Sequence, residues 1–170
     1  MNLDILVYSQ QLTPRVKYSL NLILRDILKL AVSFTDIESE FEEYNGPKFS
    51  YSYRSIGNEL NFVPYGLLFE RGIEQFEVPV FATDKGIGLF RVSDSQFPFD
   101  LFSATFYLAT RYEEYLPHVK DKHGRFSAKH SLAYNADFLG LPVINIWAFE
   151  LKEILEKKFE SLRFKKLNFQ

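Results

Sequence analysis

The chain predicts a single α/β domain, a mixed β-sheet with helices packed on it, and three features of the sequence predict it. Residues 3–44 alternate strand-like and helix-like runs, the order that builds parallel βαβ units with right-handed crossovers. The middle of the chain turns to short runs joined by hairpin chemistry, and two long apolar segments of helical spacing follow. At 170 residues the chain lies in the range of one domain, 1–170, and can bury a core of its own.

Residues 3–8 form a short apolar run with Ile5 and Val7, as a buried strand requires. Thr13-Pro14 then opens a helix. Thr13 can accept from the first free amides, and Pro14 lacks the N–H that would have no partner there. Val16, Leu20, Ile23, Leu24, Ile27 and Leu28 make one apolar stripe, with Arg15, Lys17, Asn21 and Arg25 off it. A second strand is expected over 31–35. Asp36 is expected to cap a short helix running to Tyr44, with Ile37 and Phe41 inward, and Asn45-Gly46-Pro47 to end it.

Phe49, Tyr51 and Tyr53 alternate with Ser50, Ser52 and Arg54, the pattern of a half-buried strand. Its aromatic face reads as core rather than as a platform for a sugar or partner. A short strand over 60–63 follows. The runs 76–81 and 88–92 flank the turn residues Asp84-Lys85-Gly86, so the middle section is expected to be antiparallel. Residues 98–116, with Asp100 as cap, are apolar nearly all round and predict a buried helix stopped by Pro117. A polar loop covers 118–130. Ile144, Trp147, Leu151, Ile154 and Leu155 then mark a last helix, with Lys157 and Lys158 placed favourably near its C-terminus.

Composition narrows the function. Eighteen Phe and ten Tyr against one Trp and one Met predict a Phe-rich core. A formal net charge of −2 gives no electrostatic footprint for nucleic acid or an anionic membrane. The basic cluster Arg163, Lys165 and Lys166 reads as a solvated tail. The absence of cysteine removes disulfides, thiol nucleophiles and thiolate metal sites. The N-terminus has the pattern of a strand, not of a signal peptide, and no run is long and apolar enough to span a membrane. A cytoplasmic protein is expected.

Motifs that carry chemistry are few. Gly86 and Gly88 form the only G-x-G, inside the hairpin rather than between a strand and a helix, and no G-x-S-x-G occurs. His118, His123 and His130 lie on one polar loop without the i, i+4 spacing of a helical ligand pair, so no metal and no other cofactor is expected. Arg111 and Glu114 sit three apart at the end of the 98–116 segment and can pair. Asp121, His123 and Arg125 can fold back onto that turn. The five residues Arg111, Glu114, Asp121, His123 and Arg125 are therefore the candidate binding pocket, in which an arginine holds a carboxylate or phosphate bidentately. Glu113 and Glu114 diverge by about 100° and do not form a catalytic pair. No catalytic residue is assigned.

Several strings are distinctive together: Thr13-Pro14-Arg15-Val16-Lys17-Tyr18, Gly66-Leu67-Leu68-Phe69-Glu70-Arg71-Gly72-Ile73, Pro98-Phe99-Asp100, Arg111-Tyr112-Glu113-Glu114-Tyr115, His123-Gly124-Arg125-Phe126 and Pro142-Val143-Ile144-Asn145-Ile146-Trp147. With them the chain resembles, over nearly its whole length, the uncharacterised N-terminal domain that precedes a polysaccharide deacetylase-like domain in a group of bacterial proteins. The resemblance implies a C-terminal catalytic domain of the same protein as partner. The deacetylase hallmarks, a paired aspartate on a strand and a histidine pair on a helix, do not occur here, so that activity is carried over to no residue. A chain ending at Phe169-Gln170 fits a cut just before that domain. The function expected is a non-catalytic accessory module that positions or regulates the catalytic domain or recognises its glycan or partner. Two alternatives stand beside it: a small hydrolase using the five-residue pocket, and a self-associating structural module, a homo-oligomer.

Overall fold

The computed structural model describes residues 5–162 and 164. Its centre is β1 (Ile5–Ser9), buried along its whole length. Apolar residues in succession suit a strand covered on both faces, which is the condition of a parallel sheet. On one side β1 pairs with β2 (Val32–Thr35), on the other with β3 (Lys48–Tyr51), and β4 (Leu60–Phe62) lies beyond β3. All pairings are parallel and the order is β2-β1-β3-β4.

Two helices wind the sheet from opposite faces. In α1 (Pro14–Asn21), Thr13 Oγ1 accepts from the Val16 amide at 3.1 Å, and the helix runs on as a π-helical turn, Leu22–Ile27. Ile5 and Val7 point to this side and pack with Val16 and Leu20. Leu6 and Tyr8 point the other way and pack with Phe41 of α2 (Glu38–Glu43). Because the chain leaves β1 towards β2 and returns past it to β3, the topological switch point lies between β1 and β3.

The larger core lies on the α1 side. There α3 (Leu101–Ala109) packs on α1, and α5 (Val143–Lys158) on the π-helical turn. Phe102 of α3 stacks on Phe49 at 6.2 Å and meets Tyr51 and Phe62 edge-on at 5.4 and 5.9 Å. The predicted Phe-rich core is this cluster. The hairpin of β5 (Val80–Thr83) and β6 (Gly86–Leu89) turns at Asp84-Lys85 and docks through Phe81 on Phe99 and the Trp147 indole N–H on the Ile87 carbonyl.

The parallel start and the antiparallel hairpin are both present, each as a sheet of its own. The physical reason lies at β4, whose outer edge is occupied. Gln96 N donates to Asn61 O at 3.0 Å and Val63 N to Ser95 Oγ at 2.9 Å, which leaves the hairpin no ladder to join. The antiparallel section is also shorter than expected, since β3 and β4 belong to the parallel sheet. The alternation over 49–54 is misleading: β3 stops at Tyr51, Ser50 and Ser52 are buried as well as Phe49 and Tyr51, and Tyr53, expected on the core face, is exposed. Ser50 is held by Glu59 and Asn61, and Ser52 by the Arg54 carbonyl.

Two helices differ from expectation in their ends. The segment 98–116 is helical only to Ala109. Arg111 has φ 55°, in the left-handed region, and a 3₁₀ turn, Tyr112–Tyr115, follows it. In α2 the N-cap position falls on Ile37, without a side-chain cap, rather than on Asp36; ahead of it Thr35 Oγ1 accepts from the Ile37 amide and donates to Glu40. Ile37 consequently lies outward and exposed. The tail residues Arg163, Lys165, Lys166 and Phe169 lie outside the described residues, as do Leu3 and Asp4. Phe164 packs against the main core, with Lys152 Nζ 5.2 Å from its ring centre. Among the described residues no helix is long and apolar enough to cross a membrane.

Candidate functional site

The site begins where α3 stops. The left-handed Arg111 turns the chain sharply, sends the Tyr112 ring into the core and leaves the Arg111 side chain 72% exposed at the rim. The 3₁₀ turn brings Glu114 onto it as an ion pair. A bulky residue at positive φ is costly, of the order of 1–2 kcal/mol. Here it re-aims the arginine out of the line of α3.

The opposite wall is the 120–126 loop, folded around Asp121. Its carboxylate accepts from the His123 and Arg125 amides at 2.8 and 2.9 Å, and Asp121 N donates to Arg125 O at 2.8 Å. Gly124, at φ 77°, closes the turn. Arg125 Nε stands 3.6 Å from Asp121 Oδ2. His118 Nδ1 donates to Leu116 O at 2.7 Å, and its ring meets Phe126 edge-on at 5.0 Å, joining the loop to the end of the 3₁₀ turn.

Between these walls lies a cleft of about 720 Å3. Arg111, Glu114, Asp121 and Arg125 line it, four of the five residues singled out from the sequence. His123 does not; it is exposed, and its backbone amide serves the Asp121 turn. The structure adds Lys120 and His118 to the lining. A second, more enclosed space of about 190 Å3 continues the cleft inward, sharing Arg111 and Glu114 and adding Glu113, Tyr107 and Ser131.

Glu113, set aside in the sequence as no catalytic partner of Glu114, lines this inner space. It turns inward as Glu114 turns outward, and accepts from the Leu132 amide at 2.7 Å. That amide opens α4 (Leu132–Asn135), a short helix not expected in the sequence and capped by Ser131. Burial pushes the Glu113 carboxyl above the usual carboxylate range, with the Leu132 hydrogen bond pulling it back and the Glu114 charge adding to the rise. The available signal was Ser131, a good cap ahead of Leu132 and Ala133.

The cleft holds three cations, Arg111, Lys120 and Arg125, and two carboxylates, each of the latter committed to an arginine. A guanidinium has five donors in a planar fork, and one carboxylate engages at most two of them. Both arginines are 72% exposed, so their remaining donors face solvent. This arrangement can receive an anionic group. Among the described residues no three His, Asp or Glu side chains lie close enough to hold a metal ion.

A model of a family of unknown function, DUF7033, matches residues 5–160. The chain belongs to this family. The DUF7033 match runs from the start of β1 past the end of α5 and includes both walls of the cleft. No curated protein and no solved structure is significantly similar to the chain.

Proposed function

We propose that this DUF7033 domain is a non-catalytic accessory module that recognises an anionic group, a carboxylate or a phosphate, in the cleft at the end of α3. The observation that carries this reading is the convergence of Arg111, Lys120 and Arg125 on one concave surface, with both arginine forks largely exposed. Charge-assisted, bidentate contacts are the strongest that such side chains make. The resemblance to the region ahead of polysaccharide deacetylase-like domains supports a role in the service of a catalytic domain of the same protein, where an anionic group of a glycan or of that domain would be the partner.

The test uses the full-length protein. The double substitution Arg111→Ala and Arg125→Ala lowers turnover of its acetylated glycan substrate severalfold and leaves the melting temperature within a degree or so, since both side chains are exposed. Deleting residues 1–170 lowers turnover at least as much. Unchanged turnover in both proteins would contradict an accessory role.

A further inference from the structure

In a doubly wound parallel sheet the crevice outside the carboxyl ends of the strands, at the topological switch point, is where ligands are received. In this chain that place lies between the ends of β1 and β3, on segments distinct from the Arg111 cleft. β1 is followed directly by Gln10 and Gln11, both exposed. β3 is followed by Ser52, Tyr53 and Arg54, and β4 by Val63, Pro64 and Tyr65. The Gln10 Oε1 atom lies 3.4 Å from the Tyr53 amide, so the β1 and β3 ends meet there.

Two tyrosines stand open at this edge, Tyr53 at 54% and Tyr65 at 47% exposure. Neither is loose. Tyr53 rests on Phe69, with ring centres 5.9 Å apart, and Tyr65 rests on Phe90 at 4.9 Å. The Tyr53 hydroxyl lies 3.4 Å from where a Cβ of Gly66, at φ 125°, would be, which puts Tyr53 beside the residue that follows Tyr65.

A buried carboxylate anchors the arrangement from below. Asp100 is 2% exposed, and its Oδ2 accepts from the Tyr65 amide at 2.8 Å and from the Tyr51 hydroxyl at 2.7 Å. The same side chain caps α3 through Phe102 N and Ser103 N. Asp100 thus ties the backbone of Tyr65 and the strand that leads to Tyr53 to the start of a buried helix. Two supported aromatic rings stand exposed on neighbouring segments, with the Gln10 side-chain amide at the Tyr53 backbone and Gln11 exposed next to it in the chain.

We propose that this edge is a second binding site, a stacking platform for a neutral saccharide. The C–H face of a pyranose covers an aromatic ring, and its hydroxyls need donors and acceptors together, which side-chain amides supply and a cluster of cations does not. Arg54, the one cation among these residues, pairs with Glu38, which offsets its charge and leaves the edge without a cluster of cations. The proposal does not depend on the reading of the Arg111 cleft.

The experiment is an amide-resolved NMR titration of this chain with maltotetraose, cellotetraose and chitotetraose in turn. At least one sugar is expected to give saturable shifts centred on the amides of Gln10, Tyr53, Tyr65 and Gly66. Tyr53→Ala and Tyr65→Ala each weaken that binding about tenfold, the equivalent of about 1.4 kcal/mol. Tyr53→Phe and Tyr65→Phe retain most of it, because stacking needs the ring. Both positions are surface ones, and a spectrum unchanged in dispersion verifies the fold of each variant. Shifts confined to residues 111–125, no saturable shift with any of the three sugars, or affinity untouched by both alanine variants would each overturn the platform. An independent titration with inorganic phosphate reads the Arg111 cleft, so the two proposals fail separately.

Discussion

At the scale of single residues, the site rests on two adjacent glutamates that behave differently because of where the chain turns. Glu114 is held at the rim by Arg111, whereas Glu113 is half-buried and bonded to the start of α4. Its carboxyl is raised, mainly by desolvation. For an acid the sign is as follows: the folded state favours the protonated form more than the unfolded chain does. The contribution is therefore fully present below the ordinary glutamate value of 4.5 and is lost as pH rises through the higher folded value. Glu113→Gln keeps an acceptor for the Leu132 amide and removes the charge. Thermal melts should show the variant gaining on the wild type between about pH 4.5 and neutrality. A parallel pair of stability curves would count against the burial argument. Little of this was legible in the sequence: Arg111 and Glu114 at i, i+3 predicted their pair, but nothing in the residues 111–115 announces a left-handed arginine.

At the scale of elements, local chemistry predicted interiors better than ends. The stripe of α1, the Pro-led start at Thr13-Pro14, the hairpin at Asp84-Lys85 and the Trp147-bearing α5 all lie where spacing and turn residues put them. The end of α3 does not, because backbone strain at Arg111 is imposed by tertiary structure. Arg111→Gly should relieve that strain and raise stability by about 1 kcal/mol, while removing a side chain to which the proposal gives the anion. Chemical denaturation together with phosphate titration would check both halves; a variant that is destabilised would show that the Glu114 pair, not the backbone, dominates. Gly88 had appeared only as part of a G-x-G without a phosphate-loop setting, and the structure gives it a packing role. A Cβ there would come within 2.6 Å of Phe81 and 2.7 Å of Phe99, the contact that docks the hairpin. Gly88→Ala should cost about 1–3 kcal/mol by overpacking, read as a lowered denaturant midpoint. An unchanged midpoint would mean the hairpin shifts freely on the core.

At the scale of the whole molecule, class was legible and layout was not. Alternating runs over 3–44 announced the parallel start, and β1 to β2 and β3 bear it out. That the parallel sheet extends to β4, and that the hairpin stands apart, follows from the bonds of Ser95 and Gln96 along β4 and from the burial of Ser50 and Ser52, both contacts between distant segments. The cleft has the same origin. Its four sequence-predicted residues are brought together by a loop folding back on the turn after α3, and its inner part is made by Glu113 and Ser131, which become neighbours of the site only through α4. The molecule thus presents a cationic cleft at one place and an aromatic edge at another, on a scaffold whose centre is the β1 strand.

The proposed role of the molecule rests on its cleft receiving an anion. The most direct measurement is a titration of the chain with inorganic phosphate at fixed ionic strength, followed at the amides of Gly124 and Arg125, which lie on the cleft wall. Saturating shifts are predicted, weakened about tenfold by Arg111→Ala or Arg125→Ala, as the loss of one charge-assisted contact implies. Shifts that never saturate, or an affinity that neither substitution changes, would contradict it.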